Sequence, residues 1–233
     1  MKQKPILAVL FAFSLTLMPP EVLAVDLPGE PSGEVEPLAA SGQPLQMETL
    51  ILNAQTNYQH GRYKEAVQLF EEAQKLGATS SYQKALISLG LAEAYRSSGR
   101  FKEAETLFKS AIAEAEEEDK KHLNKKYKAG KKRASDLVPM MMSDLSVVYL
   151  DQSRFPECEQ ILNSSLEIGT KKVGPNNTAL ALPLNGLTRL YLKWGKLSEA
   201  KSINDRAMSL FNTPQSKNNW LYLYSAYNMA QIL

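Results

Sequence analysis

Few residues in this chain have the types and spacing that chemistry requires. Its 233 residues include one cysteine, Cys158, and two histidines, His60 and His122. A single cysteine excludes an internal disulfide and any zinc cage built on several thiolates. His60 stands beside the turn-forming Gly61 and His122 within a run of charge, and neither lies near a serine in a nucleophile-elbow setting. Cys158 falls at a small, apolar position, where burial suppresses the reactive thiolate, so it reads as an inert core thiol. Met140, Met141 and Met142 are soft donors, but three adjacent side chains on a helix point in different directions, which favours packing over metal binding. The glycines near 61, 99 and 195 are single turn residues and not a phosphate loop. Catalytic residues, cofactor sites and metal sites are therefore all expected to be absent, and the chain reads as a non-enzyme.

Charge narrows the choice less. Lys and Arg number 27 against 25 Asp and Glu, a formal charge of +2. Such balance gives no bulk attraction to nucleic acid. What remains is binding to other proteins, and that depends on the elements that carry the side chains.

The N-terminus reads as an address. Lys2 and Lys4 precede an apolar run, Ile6 to Met18, which Pro19 and Pro20 interrupt before Val22-Leu23-Ala24. This order of charge, apolar stretch and small residue is that of a secretory signal peptide over residues 1–24, cleaved near Ala24. The apolar run is too short to cross a bilayer, which takes about 20 residues. The mature chain is thus expected to be exported, periplasmic or secreted, with no transmembrane segment. Residues 25–46 hold Pro28, Pro31, Pro37 and Pro44 among Gly29, Gly33 and Gly42, and read as a disordered linker, with folding starting near Met47.

From there the chain repeats. Four segments align: Gly61-Arg-Tyr-Lys-Glu-Ala66, Gly99-Arg-Phe-Lys-Glu-Ala104, Ser153-Arg-Phe-Pro-Glu-Cys158 and Gly195-Lys-Leu-Ser-Glu-Ala200. Apolar residues with a helical period flank each, as in Leu91, Ala92 and Tyr95 before the turn and Ala104, Leu107, Phe108 and Ala111 after it. Each unit is predicted to be helix, tight turn, helix. A glycine suits the turn, and small residues let two helices cross closely.

These residues resemble the tetratricopeptide repeat, a unit of about 34 residues. Leu91, Ala92, Tyr95, Gly99, Phe101, Ala104, Phe108 and Ala111 match its pattern best; the first unit has Asn57 where an aromatic is usual. The resemblance implies an all-α, right-handed superhelical solenoid of antiparallel helix hairpins, near 47–80, 85–118, 139–172 and 181–214 within a repeat domain 47–233. Turn positions 153 and 195 lie 42 residues apart, and Lys172-Val-Gly-Pro between them is similar to the linker of kinesin-light-chain-type repeats.

The resemblance also implies where partners bind: a concave groove lined by the first helix of each hairpin. It assigns to that groove Gln55, Tyr58, Glu93, Arg96, Asn185, Arg189 and Lys193, with Ile51, Leu89, Ser143, Val147 and Leu150 alongside. Asn185 and Arg189, four apart on one face, are suited to one peptide ligand, the amide to its backbone and the guanidinium to a carboxylate. Ile51, Leu89 and Ser143 depart from the carboxylate clamp of some family members, which argues against a client with an acidic C-terminal tail. The bland alternative for this polar face is simple solvation.

Two segments fall outside the pattern. Residues 114–133 read as one extended charged helix, with Glu116 to Lys120 and Glu117 to Lys121 in the favourable order, running to about Ala129 and stopped by Gly130. Lys125, Lys126, Lys128, Lys131, Lys132 and Arg133 are either its solvated end or a basic patch for an anionic surface. Residues 218–233 form a terminal helix rich in aromatics, and Trp220, Tyr222, Tyr224 and Tyr227 either pair with a second copy as a homodimer or fold inward as a cap.

The function this supports is a non-catalytic scaffold whose groove holds a peptide segment of another protein. The alternative is a peripheral, envelope-associated structural protein that docks through 125–133 by membrane contact and self-associates through its C-terminal helix.

Overall fold

The computed structural model describes residues 43–78, 80–122, 133–213, 217 and 219–233. Its regular structure is helical, with no strand among the described residues. In chain order the helices are α1 (Gln43–Gln59), α2 (Tyr63–Leu76), α3 (Ser81–Ser97), α4 (Phe101–His122), α5 (Val138–Asp151), α6 (Phe155–Val173), α7 (Ala181–Trp194), α8 (Leu197–Ser209) and α9 (Trp220–Ile232). Short 3₁₀ turns, Ala134–Leu137 and Thr178–Leu180, lead into α5 and α7. The chain divides into two compact units between Arg100 and Phe101, with α1 to α3 in the first and α4 to α9 in the second.

The fold is all-α, as the periodicity indicates. Helix α1 begins at Gln43 and not near Met47, with Pro44 in the first turn, where a missing N–H removes no helical bond. The signal peptide of residues 1–24 and nearly all of the 25–46 linker lie outside the described residues, as does the expected run of α4 on to Ala129 and its stop at Gly130.

The four aligned turns share one geometry. Gly61, Gly99, Ser153 and Gly195 all have positive φ, at 72°, 79°, 58° and 78°. Around each, two backbone bonds recur. Gly61 N–H reaches Tyr58 O and Arg62 N–H reaches Asn57 O, and the same pair forms from Gly99 to Arg96 with Arg100 to Tyr95, from Ser153 to Leu150 with Arg154 to Tyr149, and from Gly195 to Leu192 with Lys196 to Tyr191. This is the Schellman closure of a helix, which returns two otherwise orphaned carbonyls to hydrogen bonding. The residue after the turn then lies over the tyrosine that precedes it: Arg100 is 4.1 Å from the Tyr95 ring centroid, Arg154 4.4 Å from Tyr149 and Lys196 5.6 Å from Tyr191.

Ser153 is the one non-glycine residue with positive φ among the described residues. A side chain there costs about 1 kcal/mol. Ser153→Gly is expected to raise the unfolding midpoint by roughly 2–4 °C, a shift calorimetry would register.

Between turns, small residues set the helix spacing. Ala54, Ala66, Ala73, Ala92, Ala104, Cys158, Ser165, Thr188, Ala200 and Ala207 are all buried, as the alignment places them. Gly186 of α7 is the tightest contact: a Cβ there would stand 2.6 Å from Leu162 Cδ2 of α6, and Leu162 is fully enclosed. Tyrosines link successive hairpins from their other side. In the first unit Tyr95 OH donates to Glu71 of α2 at 2.8 Å; in the second Tyr191 OH donates to Glu159 of α6 at 2.5 Å. At the α4–α5 contact, Glu105 accepts from Arg154 at 2.6 Å and Lys109 at 2.7 Å. Burial alone would raise the Glu105 carboxyl, but these two cations prevail and hold it below the usual carboxylate range.

Candidate partner-binding surface

In the first unit the candidate face is carried by α1 and α3. Its centre is Glu93, fully enclosed, whose Oε2 accepts from Tyr58 OH at 3.1 Å and from the Arg96 guanidinium at 3.1 Å. Ser97 Oγ lies 2.9 Å from Tyr58 OH. Burial, and then the Glu93 carboxylate, push the Tyr58 phenol far above its ordinary range, so it remains a donor throughout the physiological range. Tyr58, Glu93 and Arg96, three of the residues the resemblance assigns to the groove, therefore lie together. The correction concerns exposure. Gln55, Tyr58 and Glu93 are buried, as are Ile51 and Leu89, and only Arg96 is partly open. Every residue from Ala85 to Ala94 is buried, so the middle of α3 is enclosed, and its last turn, Tyr95 to Ser97, is partly open. Ser97 was missed by the sequence reading; its sign was a hydroxyl four residues after Glu93, one helical turn on.

In the second unit the expected pair Asn185 and Arg189 separates. Asn185 is fully enclosed: its Nδ2 donates to Leu221 O at 3.1 Å, and its Oδ1 accepts from Ser225 Oγ at 2.8 Å and Asn228 Nδ2 at 3.3 Å. Asn204 Nδ2 of α8 donates to Ser225 O at 3.0 Å. Asn185 is thus a joint between α7 and α9, and not a groove residue, because α9 packs on the side of α7 from which it projects. Ser225, Asn228 and Asn204 went unpredicted; Ser and Asn three apart in the uncharged α9 were the available signal. Arg189 is partly exposed, and Lys193 Nζ donates to Leu150 O at 3.0 Å, tying it to the end of α5. Ser143, Val147 and Leu150 are buried with the whole run Met141–Leu150, so they too line no open groove.

Lys125, Lys126, Lys128, Lys131 and Lys132 lie outside the described residues. Arg133 is engaged: its guanidinium pairs with Asp119 at 3.2 Å and Asp136 at 3.3 Å, which removes it from the basic patch as a free cation. Of the aromatics assigned to self-association, Tyr224 is 1% exposed and belongs to the interior, because α9 packs against both α7 and α8. Tyr222 stacks edge-on with Phe211 at 5.6 Å and packs with Trp220 against Leu184, Phe211 and Leu221. Tyr227 is half-buried, while Leu223 and the terminal Leu233 stand exposed.

No group of three His, Cys, Asp or Glu able to hold a metal occurs among the described residues, and no described helix is long and apolar enough to cross a membrane. Met141 and Met142 are buried packing residues. Cys158 is 1% exposed, and burial pushes its thiol up to about 12. Native protein is expected to leave a disulfide reagent unreacted at neutral pH and to release one equivalent only on unfolding, with release before unfolding contradicting the burial.

Paired helices, each closed by the same turn and crossing at small residues, define a helical-repeat protein. Residues 44–119 and 137–213 each match a family model described as tetratricopeptide repeat. The chain belongs to the tetratricopeptide repeat family. Similar solved structures include kinesin light chain nearly identical TPR-like repeats of Podosopora anserina, at TM-score 0.54 and 17% identity over 82% of this chain and 95% of that one. A variant of those repeats gives TM-score 0.58 at 18% identity, covering 83% and 87%. BtubC (BKLC) from P. vanneervenii gives 0.57 at 19%, covering 82% and 78%. At these identities the likeness is one of fold. No curated protein sequence matches.

Proposed function

We propose that the chain is a non-catalytic scaffold, exported from the cytoplasm, that holds a peptide segment of another protein against the first helices of its hairpins. Repeats of this family indicate protein partners. The observation that carries the finer reading is the α1–α3 face, where Tyr58, Glu93 and Arg96 bring phenol, carboxylate and guanidinium together in one unit. Solvation alone gives no reason to gather such groups away from water, since each loses hydration on enclosure. Export rests on the Lys2-to-Ala24 pattern.

The test is made in the source cell. A photo-crosslinking side chain placed at Arg96 or Arg189, on the first helices, is expected to trap a discrete protein partner. The same group at Lys201, on the return helix α8, traps none. The trapped chain is expected to begin near Val25 and to be recovered outside the cytoplasm. Equal trapping at all three positions would count against the groove, and a retained Met1 against export.

A further inference from the structure

Helix α9 has two opposite sides. Leu221, Tyr224, Ser225 and Asn228 form the buried one, and the helix packs against α7 and α8. Leu223, Ala226, Tyr227 and Ala230 form the other, spaced as a single helical stripe. On this stripe Leu223 is 47% exposed, Ala230 is exposed, and Ala226 and Tyr227 are partly open. No Asp, Glu, Lys or Arg occurs from Trp220 to Ile232. One exposed leucine is ordinary, but a contiguous apolar stripe without charge marks an interaction surface.

The order of sizes along the stripe says what covers it. Leu223, Ala226, Tyr227 and Ala230 run large, small, large, small, so the reversed order is the complement of the forward one. Laid antiparallel on a second copy, with a twofold axis between Ala226 and Tyr227, Leu223 of each chain meets Ala230 of the other and Tyr227 meets Ala226. Every large side chain then stands over a small one, and each contact occurs twice, as an isologous interface requires. The alanines let the axes approach to about 8 Å, the near end of the usual range. A parallel pairing would set Leu223 on Leu223 and Tyr227 on Tyr227 with gaps between, and pack less densely. Because α9 is uncharged, neither copy buries or repels a charge of the other. A charged partner finds no counter-charge here, and a helix lying in a membrane surface needs the Lys and Arg that α9 lacks.

We infer that α9 pairs antiparallel with α9 of a second copy of this chain through Leu223, Ala226, Tyr227 and Ala230. The enclosed Tyr224 takes no part, and the pairing does not depend on the peptide reading above.

The test is sedimentation of the chain purified from its source cell. The wild type is expected to dimerise as its concentration rises. Leu223→Glu sets a carboxylate against an apolar contact that occurs twice, and is expected to weaken the dimer about a hundredfold, tenfold for each copy. Ala230→Lys acts likewise. Combined in one chain, the two substitutions bring carboxylate and ammonium together across the twofold axis and restore the dimer, which only the antiparallel register allows. Both positions are exposed in the single chain, so an unchanged circular dichroism spectrum is expected of each variant. Ala226→Cys, beside the axis, keeps the test decisive if a charge at 223 unfolds α9. Mild oxidation should link two copies through it, while Lys201→Cys on α8 links none and the enclosed Cys158 stays out. A wild type that remains monomeric at high micromolar concentration overturns the inference. So does a double variant that stays apart where both single ones dissociate. A photo-crosslinking side chain at Leu223 that reaches a different protein, or another segment of the same chain, assigns the stripe to that occupant and equally overturns it.

Discussion

Asn185→Ala is expected to loosen α9 and to lower the stability of the second unit by about 2–3 kcal/mol. The side chain makes three hydrogen bonds across the α7–α9 seam, to Leu221 O, Ser225 Oγ and Asn228 Nδ2, in a region with no access to water. Ser225 Oγ recovers part of the loss through Leu221 O, 2.9 Å away. Asn228 Nδ2 loses its acceptor 3.3 Å away, and the deleted carboxamide leaves a small void beside it. The expected fall in unfolding midpoint is roughly 4–10 °C. Hydrogen exchange separates this from general damage: amides of α9 lose protection while α5 and α6 keep theirs. Uniform loss across the second unit would show that Asn185 supports more than the seat of α9.

The second large effect belongs to the first unit. Removing one member of an enclosed ion pair leaves the other uncompensated and costs about 3–5 kcal/mol in full burial. Glu93→Ala takes the carboxylate away from Arg96, which is 13% exposed, and from Tyr58 OH, with Ser97 Oγ remaining near both. The expectation is therefore at or below the low end, about 2–3 kcal/mol. Double substitution of Glu93→Ala with Arg96→Ala should recover part of it, because no buried charge then remains. If the double variant is as unstable as the sum of the single ones, the pair contributes no coupling and the account of this cluster is wrong.

Much of the fold was legible in the sequence for a local reason. A Schellman closure needs a left-handed residue at a fixed point, so Gly61, Gly99 and Gly195 marked helix ends, and Ser153 could be placed with them because its flanking residues agree. Ala54, Ala92 and Ala200 marked helix crossings by their size. The site was less legible because burial is not local. Asn185 and Arg189 share a helical face in sequence, yet α9, more than thirty residues on, encloses one and leaves the other partly open. Helix α3 offers no polar stripe to fix an outer side, so the enclosure of Glu93 could not be read from its neighbours. Tyr224 went unplaced for a related reason: α9 carries no charge, so its sequence has no phase to say which aromatics face inward.

The central claim is that a partner meets the first helices of the hairpins. The most direct measurement is hydrogen exchange of the full chain with and without a saturating selected peptide, resolved by helix. Added protection should concentrate on α1, α3 and the open edge of α7, and spare the return helices α2, α6 and α8. Protection confined to those return helices would contradict it.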